Sequence, residues 1–232
     1  MINTKLFKEK YGIHITTKMN GKMEGMQSLS TSSVNNPICI ARAKDPTSIC
    51  SKCYSNTMQG MYKDLYKCLA NNTEVLTTTI IPINAWLKVN CLVFRLEAFG
   101  DIANVIQVIN YFNFCKANPR VTFTLWTKNP HIIDTAIKQG NKLPGNLIIG
   151  ISSPHMNIVS ECKYDFVSFV FTVFDYKYAT ENSVKINCGN RKCLECLKCY
   201  TKHKGIIYIN EILKSDASKY YKWLANQLKK SA

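Results

Sequence analysis

The sequence predicts an α/β chain, either a partial (βα) barrel or an open parallel sheet, with cysteine-rich metal-binding loops. Three observations carry that prediction. From residue 92 onward, short apolar runs alternate with stretches of helical period. Strands that are apolar throughout belong to parallel sheets covered by helices. Each run ends in a polar tip, and seven of the eleven cysteines fall into two groups.

The elements follow in chain order. Residues 1–35 are polar, rich in Lys, Asn, Ser and Thr and without a period, and are expected to form an N-terminal arm with one hairpin. Residues 36–232 are expected to form a single βα domain with cysteine clusters at 39–53 and 188–199. Residues 36–54, with two prolines and three cysteines, read as a loop held by something other than a core. Leu65, Cys68, Leu69 and Leu76 stand at helical spacings and predict a helix over 61–76. A second helical stretch is expected around Trp86. Strands are then expected at 92–96, 121–126, 146–151 and 166–173, with helices at 102–116 and 131–139. A last strand at 206–212 and a helix at 217–230 close the chain. About five βα units are too few for a closed eight-fold barrel, which needs about 250 residues. A partial barrel and an open doubly wound sheet both remain. In either, ligands gather where strands end, here at Glu97, Asp101, Thr127, Lys128, Ser152 and Ser153.

Thirty Lys and Arg stand against fifteen Asp and Glu, an excess of +15. That surplus predicts attraction to polyanions, nucleic acid first, with DNA against RNA undecided. Residues 1–11 lack the apolar core of a secretory signal. The longest strongly apolar stretch, residues 166–174, is interrupted by Ser168 and Thr172 and is far short of the ~18–20 residues that span a bilayer. No membrane association and a cytoplasmic location are expected. In a reducing compartment disulfides are rare, and an odd number of cysteines cannot pair completely.

The strongest local signal is Cys188-x4-Cys193-x2-Cys196-x2-Cys199. Successive C-x2-C spacings let the backbone wrap one compact inorganic core with its amides turned toward sulfur, which suits a 4Fe-4S iron–sulfur cluster. A tetrahedral zinc is the rival, since four thiolates also wrap one ion. The second group is Cys39-x10-Cys50-x2-Cys53, followed by Tyr54. Three cysteines on a four-iron cluster leave one iron open, as catalytic metal sites keep an open position. Cys68 is either a fourth ligand or a core residue; its helical spacing among apolar neighbours favours the core. Cys91, Cys115 and Cys162 read as packing residues. The spacings leave open whether there is one cluster or two.

Ser28-Leu29-Ser30, Cys39, Cys50-Ser51-Lys52-Cys53-Tyr54, Gly60-Met61-Tyr62 and Asn71 resemble the phage family named for gene product eighty-eight. Arg95 with Gly100-Asp101, Phe123 with Thr127-Lys128, and the late cysteines extend the likeness over residues 28–200. Phe99 stands where a serine is expected before Gly-Asp, and the Cys39–Cys50 gap is unusually long. The resemblance implies a phage or prophage origin, and hence the host cytoplasm. A wider similarity is to radical S-adenosylmethionine enzymes, partial barrels in which three cysteines hold a four-iron cluster at the barrel mouth. Their C-x3-C-x2-C spacing and Gly-Gly-Glu-like tip are missing here; Glu97 or Asp101 is the candidate substitute. That similarity makes S-adenosylmethionine a candidate cofactor.

Basic residues crowd the late cysteines. Arg191, Lys192, Lys198, Lys202 and Lys204 are the candidate nucleic-acid contacts. Tyr200, Tyr220, Tyr221 and Trp223 are candidates for stacking on bases, although Tyr221, Trp223, Leu224 and Leu228 also fit the apolar face of a last helix. Walker loops, nucleophile elbows and H-E-x-x-H are lacking, and the four histidines are isolated. The expected function is an iron–sulfur, radical-enzyme-like phage protein that binds nucleic acid. Two alternatives stand beside it. One is an S-adenosylmethionine enzyme using the open iron of Cys39, Cys50 and Cys53, with Arg95, Glu97, Asp101 and Lys128 holding cofactor and substrate. The other is a zinc-stapled nucleic-acid-binding module.

Overall fold

The computed structural model describes residues 4–189 and 191–230, apart from the side chains of Thr4, Leu6, Leu228 and Lys230. Helix α1 (Thr4–Tyr11) leads into a hairpin in which backbone hydrogen bonds join Met19 to Met26 and Thr16 to Ser28. The hairpin delivers strand β1 (Gln27–Leu29). Helix α2 (Pro37–Lys44) starts where the Asn36 side chain accepts from the amides of Ile38 and Cys39, with Pro37 in its first turn. Then come α3 (Tyr54–Met61), α4 (Lys63–Thr78), β2 (Val93–Leu96), α5 (Val105–Ala117), β3 (Thr122–Thr127) and α6 (Pro130–Lys138). Strands β4 (Leu147–Ser152) and β5 (Val167–Phe174) precede α7 (Tyr176–Glu181) and the short α8 (Cys193–Cys196). Strand β6 (Ile207–Ile212) and α9 (Ala217–Lys230) end the fold.

Among the described residues, six strands form one parallel sheet in the order β1-β2-β3-β4-β5-β6. The order never reverses, so the doubly wound alternative is excluded: such a sheet needs a switch point, and this one winds in a single direction. The sheet is open, with β1 and β6 at its edges.

The single winding gives the sheet two different faces. On one, Leu29, Phe94, Leu96, Phe123, Leu125, Leu147 and Ile149 meet Leu76 of α4, Phe112 and Phe114 of α5, and Ile133 and Ala136 of α6. Phe114 centres an aromatic group, with ring centroids 4.7 Å from Trp86, 5.2 Å from Phe94 and 5.1 Å from Phe123. Each such ring contributes about 1.5–3 kcal/mol on burial. On the other face, Val93 packs with Met19, Met26 and Tyr200, while Ile148, Phe169, Phe171 and Ile209 pack with Trp126, Cys188 and Cys199. The connection from β5 to β6 therefore crosses this second face. It is pinned there by the Thr124 hydroxyl, which donates to the Cys199 carbonyl at 3.0 Å. Gly150 makes that packing fit: a Cβ there would lie 2.0 Å from the Phe169 ring, where the β4–β5 register slips.

Several expectations change. The N-terminal segment is built into the domain as well as forming its hairpin: Phe7 of α1 is fully buried against Trp86, and β1 is an edge strand. The stretch at 36–54 includes α2, which has no buried residue and so no apolar period to read. Around Trp86 there is only a 3-10 turn, Ile83–Ala85, and the chain leaves Trp86 extended. Tyr200 and Tyr220 are buried, and Tyr221, Trp223 and Leu224 pack against Phe174 and Ile212. The rings of Tyr220, Tyr221 and Trp223 serve the core. The Leu228 side chain lies outside the described residues.

Candidate functional site

The strand tips are bound together before they build any site. Gly100 passes so close to β1's end that a Cβ would lie 2.4 Å from the Thr31 hydroxyl oxygen and 2.6 Å from its carbonyl. The neighbouring Asp101, buried, accepts from the Thr127 hydroxyl at 2.5 Å and from the Lys128 amide at 3.0 Å. Arg42 of α2 adds an ion pair at 3.7 Å and donates to the Lys128 carbonyl at 2.9 Å. The Gly-Asp and Thr-Lys motifs are thus two halves of one clamp between β2 and β3.

Glu97 sits at the end of β2 in the left-handed backbone region, φ 54°, a strained position for a residue with a Cβ. Four donors hold its buried carboxylate: the Thr31 amide at 3.1 Å, the Thr31 hydroxyl at 2.8 Å, the Gln107 amide at 2.6 Å and the Tyr111 hydroxyl. Burial outweighs those donors and pushes its carboxyl up to about 7.

The first cysteine group rests on these tips. Cys50 lies in a 3-10 turn, Ile49–Lys52, capped by Ser48, and the Ile49 amide bonds to the Pro154 carbonyl beyond β4 at 2.9 Å. Cys53 immediately precedes α3, and the next residue, Tyr54, donates its hydroxyl to the Ala98 carbonyl. The Tyr54 ring is 55% exposed and lies 5.7 Å from Phe99, so Phe99 extends an aromatic wall where a serine was expected. Cys39 projects from α2 near Asp101, Glu97, Lys128 and Cys50; burial, then those carboxylates, raises its thiol well above the ordinary range.

The late cysteines lie on the opposite side. Cys188 is held against β6 by its amide, which donates to the Asn210 carbonyl at 2.9 Å. Cys193 and Cys196 bracket α8, which ends at Leu197 in the left-handed region, φ 52°, so that the chain turns and offers Cys199. Burial raises the thiols of Cys188, Cys193 and Cys199, the last up to about 12, and the other three cysteines of the group add to the rise at Cys199. Lys22, from the N-terminal hairpin, reaches Cys188 Sγ at 3.3 Å and ion-pairs with Glu211.

Both groups open into one cleft of about 460 Å³, lined by Cys50, Cys53, Cys188, Cys193, Cys196 and Cys199. Arg95, Glu97, Asp101, Lys128 and Ser152 line it too, while Thr127 and Ser153 are buried in hydrogen bonds behind it. Cys39 is not among the lining residues. Cys68 is elsewhere, beside His14 and Asn72 in a separate cavity. Cys91, Cys115 and Cys162 belong to the helix-side core. Among the described residues, no three His, Cys, Asp or Glu side chains stand in positions to hold one metal ion. The donor set itself is all sulfur, which suits zinc or iron–sulfur chemistry over hard cations.

The basic residues divide. Lys198 lines the cleft; Arg191 does too, with a guanidinium nitrogen 3.8 Å from Cys196 Sγ. Lys192 pairs with Glu24 at 2.9 Å, and Lys202 and Lys204 are exposed. No helix among the described residues is long and apolar enough to cross a membrane. Sequence reasoning named Tyr200 only as a base-stacking candidate and missed Trp126 and Phe171; nothing in their local pattern distinguishes a cleft wall from core.

Fold and site together define an α/β protein with an open, singly wound parallel sheet whose strand ends and outer face frame a cysteine-lined cleft. The chain belongs to the Gene product 88 family, whose model matches residues 3–219. That bears out the resemblance and, with it, the expectation of a phage protein. No curated protein and no solved structure matches the chain.

Proposed function

We propose that this protein binds an inorganic thiolate cluster, an iron–sulfur cluster in the first instance, in the cleft between its two cysteine groups. One observation carries the reading: Cys50 and Cys53 line the same cleft as Cys188, Cys193, Cys196 and Cys199, about 140 residues further along the chain. Cys188, Cys193, Cys196 and Cys199 would hold one cluster. Cys39, Cys50 and Cys53 would hold a second, with one coordination position open. Such clusters supply electron transfer or a Lewis-acidic iron. The chain's own part is to bury the sulfurs, to supply Arg95 and Lys22 as nearby cations, and to fix the ligand loops through Ser48, Tyr54 and Thr124. The sequential parallel strand order, with α4, α5 and α6 all on one face, supports the partial-barrel form of the fold.

The exposed Lys202 and Lys204 at the end of the cysteine loop, with the +15 charge, support contact with nucleic-acid phosphates. A second reading rests on the open position beside Glu97 and Asp101: a radical S-adenosylmethionine-type enzyme. The test is the absorption spectrum of oxygen-free protein. A brown thiolate-to-iron charge-transfer band that Cys193→Ser with Cys196→Ser abolishes supports the reading. A colourless, zinc-containing protein replaces iron with zinc, and a metal-free folded protein removes the reading altogether. Cleavage of S-adenosylmethionine by the reduced protein selects the enzymatic form.

A further inference from the structure

Arg95 poses a problem that its surroundings do not solve. It is 8% exposed, and among the described residues no carboxylate lies within ion-pairing distance of it. Its hydrogen bonds go to backbone carbonyls alone, Leu96 at 3.1 Å and Glu97 at 3.4 Å, and its guanidinium lies 3.9 Å from the centroid of the Trp126 ring. A buried cation without a counter-charge is costly, and stacking on an indole offsets only part of that cost.

Orphaned polar atoms gather around the same residue. Of the four buried side-chain polar atoms without a partner among the described residues, three belong to Ser28, Trp126 and Tyr200. Trp126 carries the stacked ring. The Tyr200 hydroxyl lies beside Arg95 without forming a well-aligned hydrogen bond to it. The β1–β2 register sets Ser28 directly opposite Arg95, on the same face of the sheet. One buried cation and three unused hydroxyl or indole donors have therefore been collected at one place, and each of these groups seeks an acceptor.

We propose that Arg95, with the Trp126 indole N–H and the Tyr200 hydroxyl, forms an oxyanion-binding site in the cleft. The site takes the phosphate or carboxylate of a small ligand whose apolar part packs against Phe99 and Phe171. The cleft's charge agrees: seven Lys and Arg side chains line it against Glu97, Asp101 and Glu211. Glu97 accepts from Thr31, Gln107 and Tyr111, Asp101 accepts from Thr127 and Lys128, and Glu211 pairs with Lys22. The proposal goes beyond the cluster reading and does not require it.

The test titrates the full-length protein, prepared without oxygen, with inorganic phosphate, phenyl phosphate and benzoate, followed by calorimetry and tryptophan fluorescence. Saturable one-to-one binding is expected, tighter for the aromatic probes than for phosphate, and phenyl phosphate against benzoate tells which headgroup is preferred. Arg95→Gln should weaken it about tenfold to a hundredfold and Arg95→Lys less, as loss of a charge-assisted contact implies. Tyr200→Phe, which keeps the packing, should weaken it several-fold, so the proposal stays testable if Arg95→Gln fails to fold. Lys138→Ala, on α6 and outside the cleft lining, should leave it unchanged. Absence of saturable binding overturns the proposal, as does binding that Lys202→Ala with Lys204→Ala weakens and Arg95→Gln does not. Binding confined to metal-stripped protein also overturns it, because the cluster thiolates would then be the counter-charge. Binding by protein that never takes up metal sustains the proposal while removing the cluster reading.

Discussion

At the scale of single residues, the strand tips are defined by close approach and by saturated carboxylates. Gly100 has no room for a methyl group, because the obstacles are Thr31's hydroxyl and its backbone carbonyl. Gly100→Ala is expected to destabilise the fold by about 1–3 kcal/mol, measured by urea unfolding. Glu97 gives a pH signature. Its folded carboxyl titrates at about 7, above the ordinary 4.5, so between those values the folded protein holds a proton that the unfolded chain has lost. Its contribution to stability is fully present below about 4.5, declines as pH rises, and is gone above about 7. Glu97→Gln should remove that decline from a series of unfolding curves.

At the scale of elements, Asp101 joins β2, β3 and α2 into one unit. Asp101→Ala leaves the Thr127 hydroxyl and the Lys128 amide without their acceptor and removes the ion-pair partner of Arg42. A loss of about 1.5–3 kcal/mol per charged hydrogen bond is expected in unfolding experiments, with Asp101→Asn milder. The βα units from β2 onward were legible, with boundaries within one to three residues, because buried parallel strands and their covering helices both carry strong apolar patterns. What was not legible has a common cause. Strand β1 is three residues long, with Ser28 in its middle and Ser30 just beyond it, and Ser30 accepts from the Ala98 amide. Such an edge strand carries no apolar run. Helix α2 has no fully buried residue and only Ile38 packed against the core, and the 3-10 turn before Trp86 belongs to a loop that fills the core. Motif spacing picked out the two cysteine groups, but not the cleft that both line. That juxtaposition depends on the β5–β6 connection crossing the sheet, and no local pattern encodes it.

At the scale of the whole molecule, a single winding direction leaves one sheet face to helices and the other to the cysteine loop, the hairpin and the cleft. The excess positive charge is spread over this object, so any contact with nucleic acid should be electrostatic. Binding should weaken steeply with salt, and Lys202→Ala with Lys204→Ala should reduce the slope of log affinity against log salt by about 1–2. A slope of zero would contradict phosphate contact. The central claim is that two remote sets of cysteines serve inorganic chemistry in one cleft. Its most direct test is the iron, acid-labile sulfide and zinc content per chain after oxygen-free preparation. The account predicts iron and sulfide in equal amounts, about four of each per cluster. A folded protein with neither iron nor zinc, and with seven thiols free to react, would contradict it.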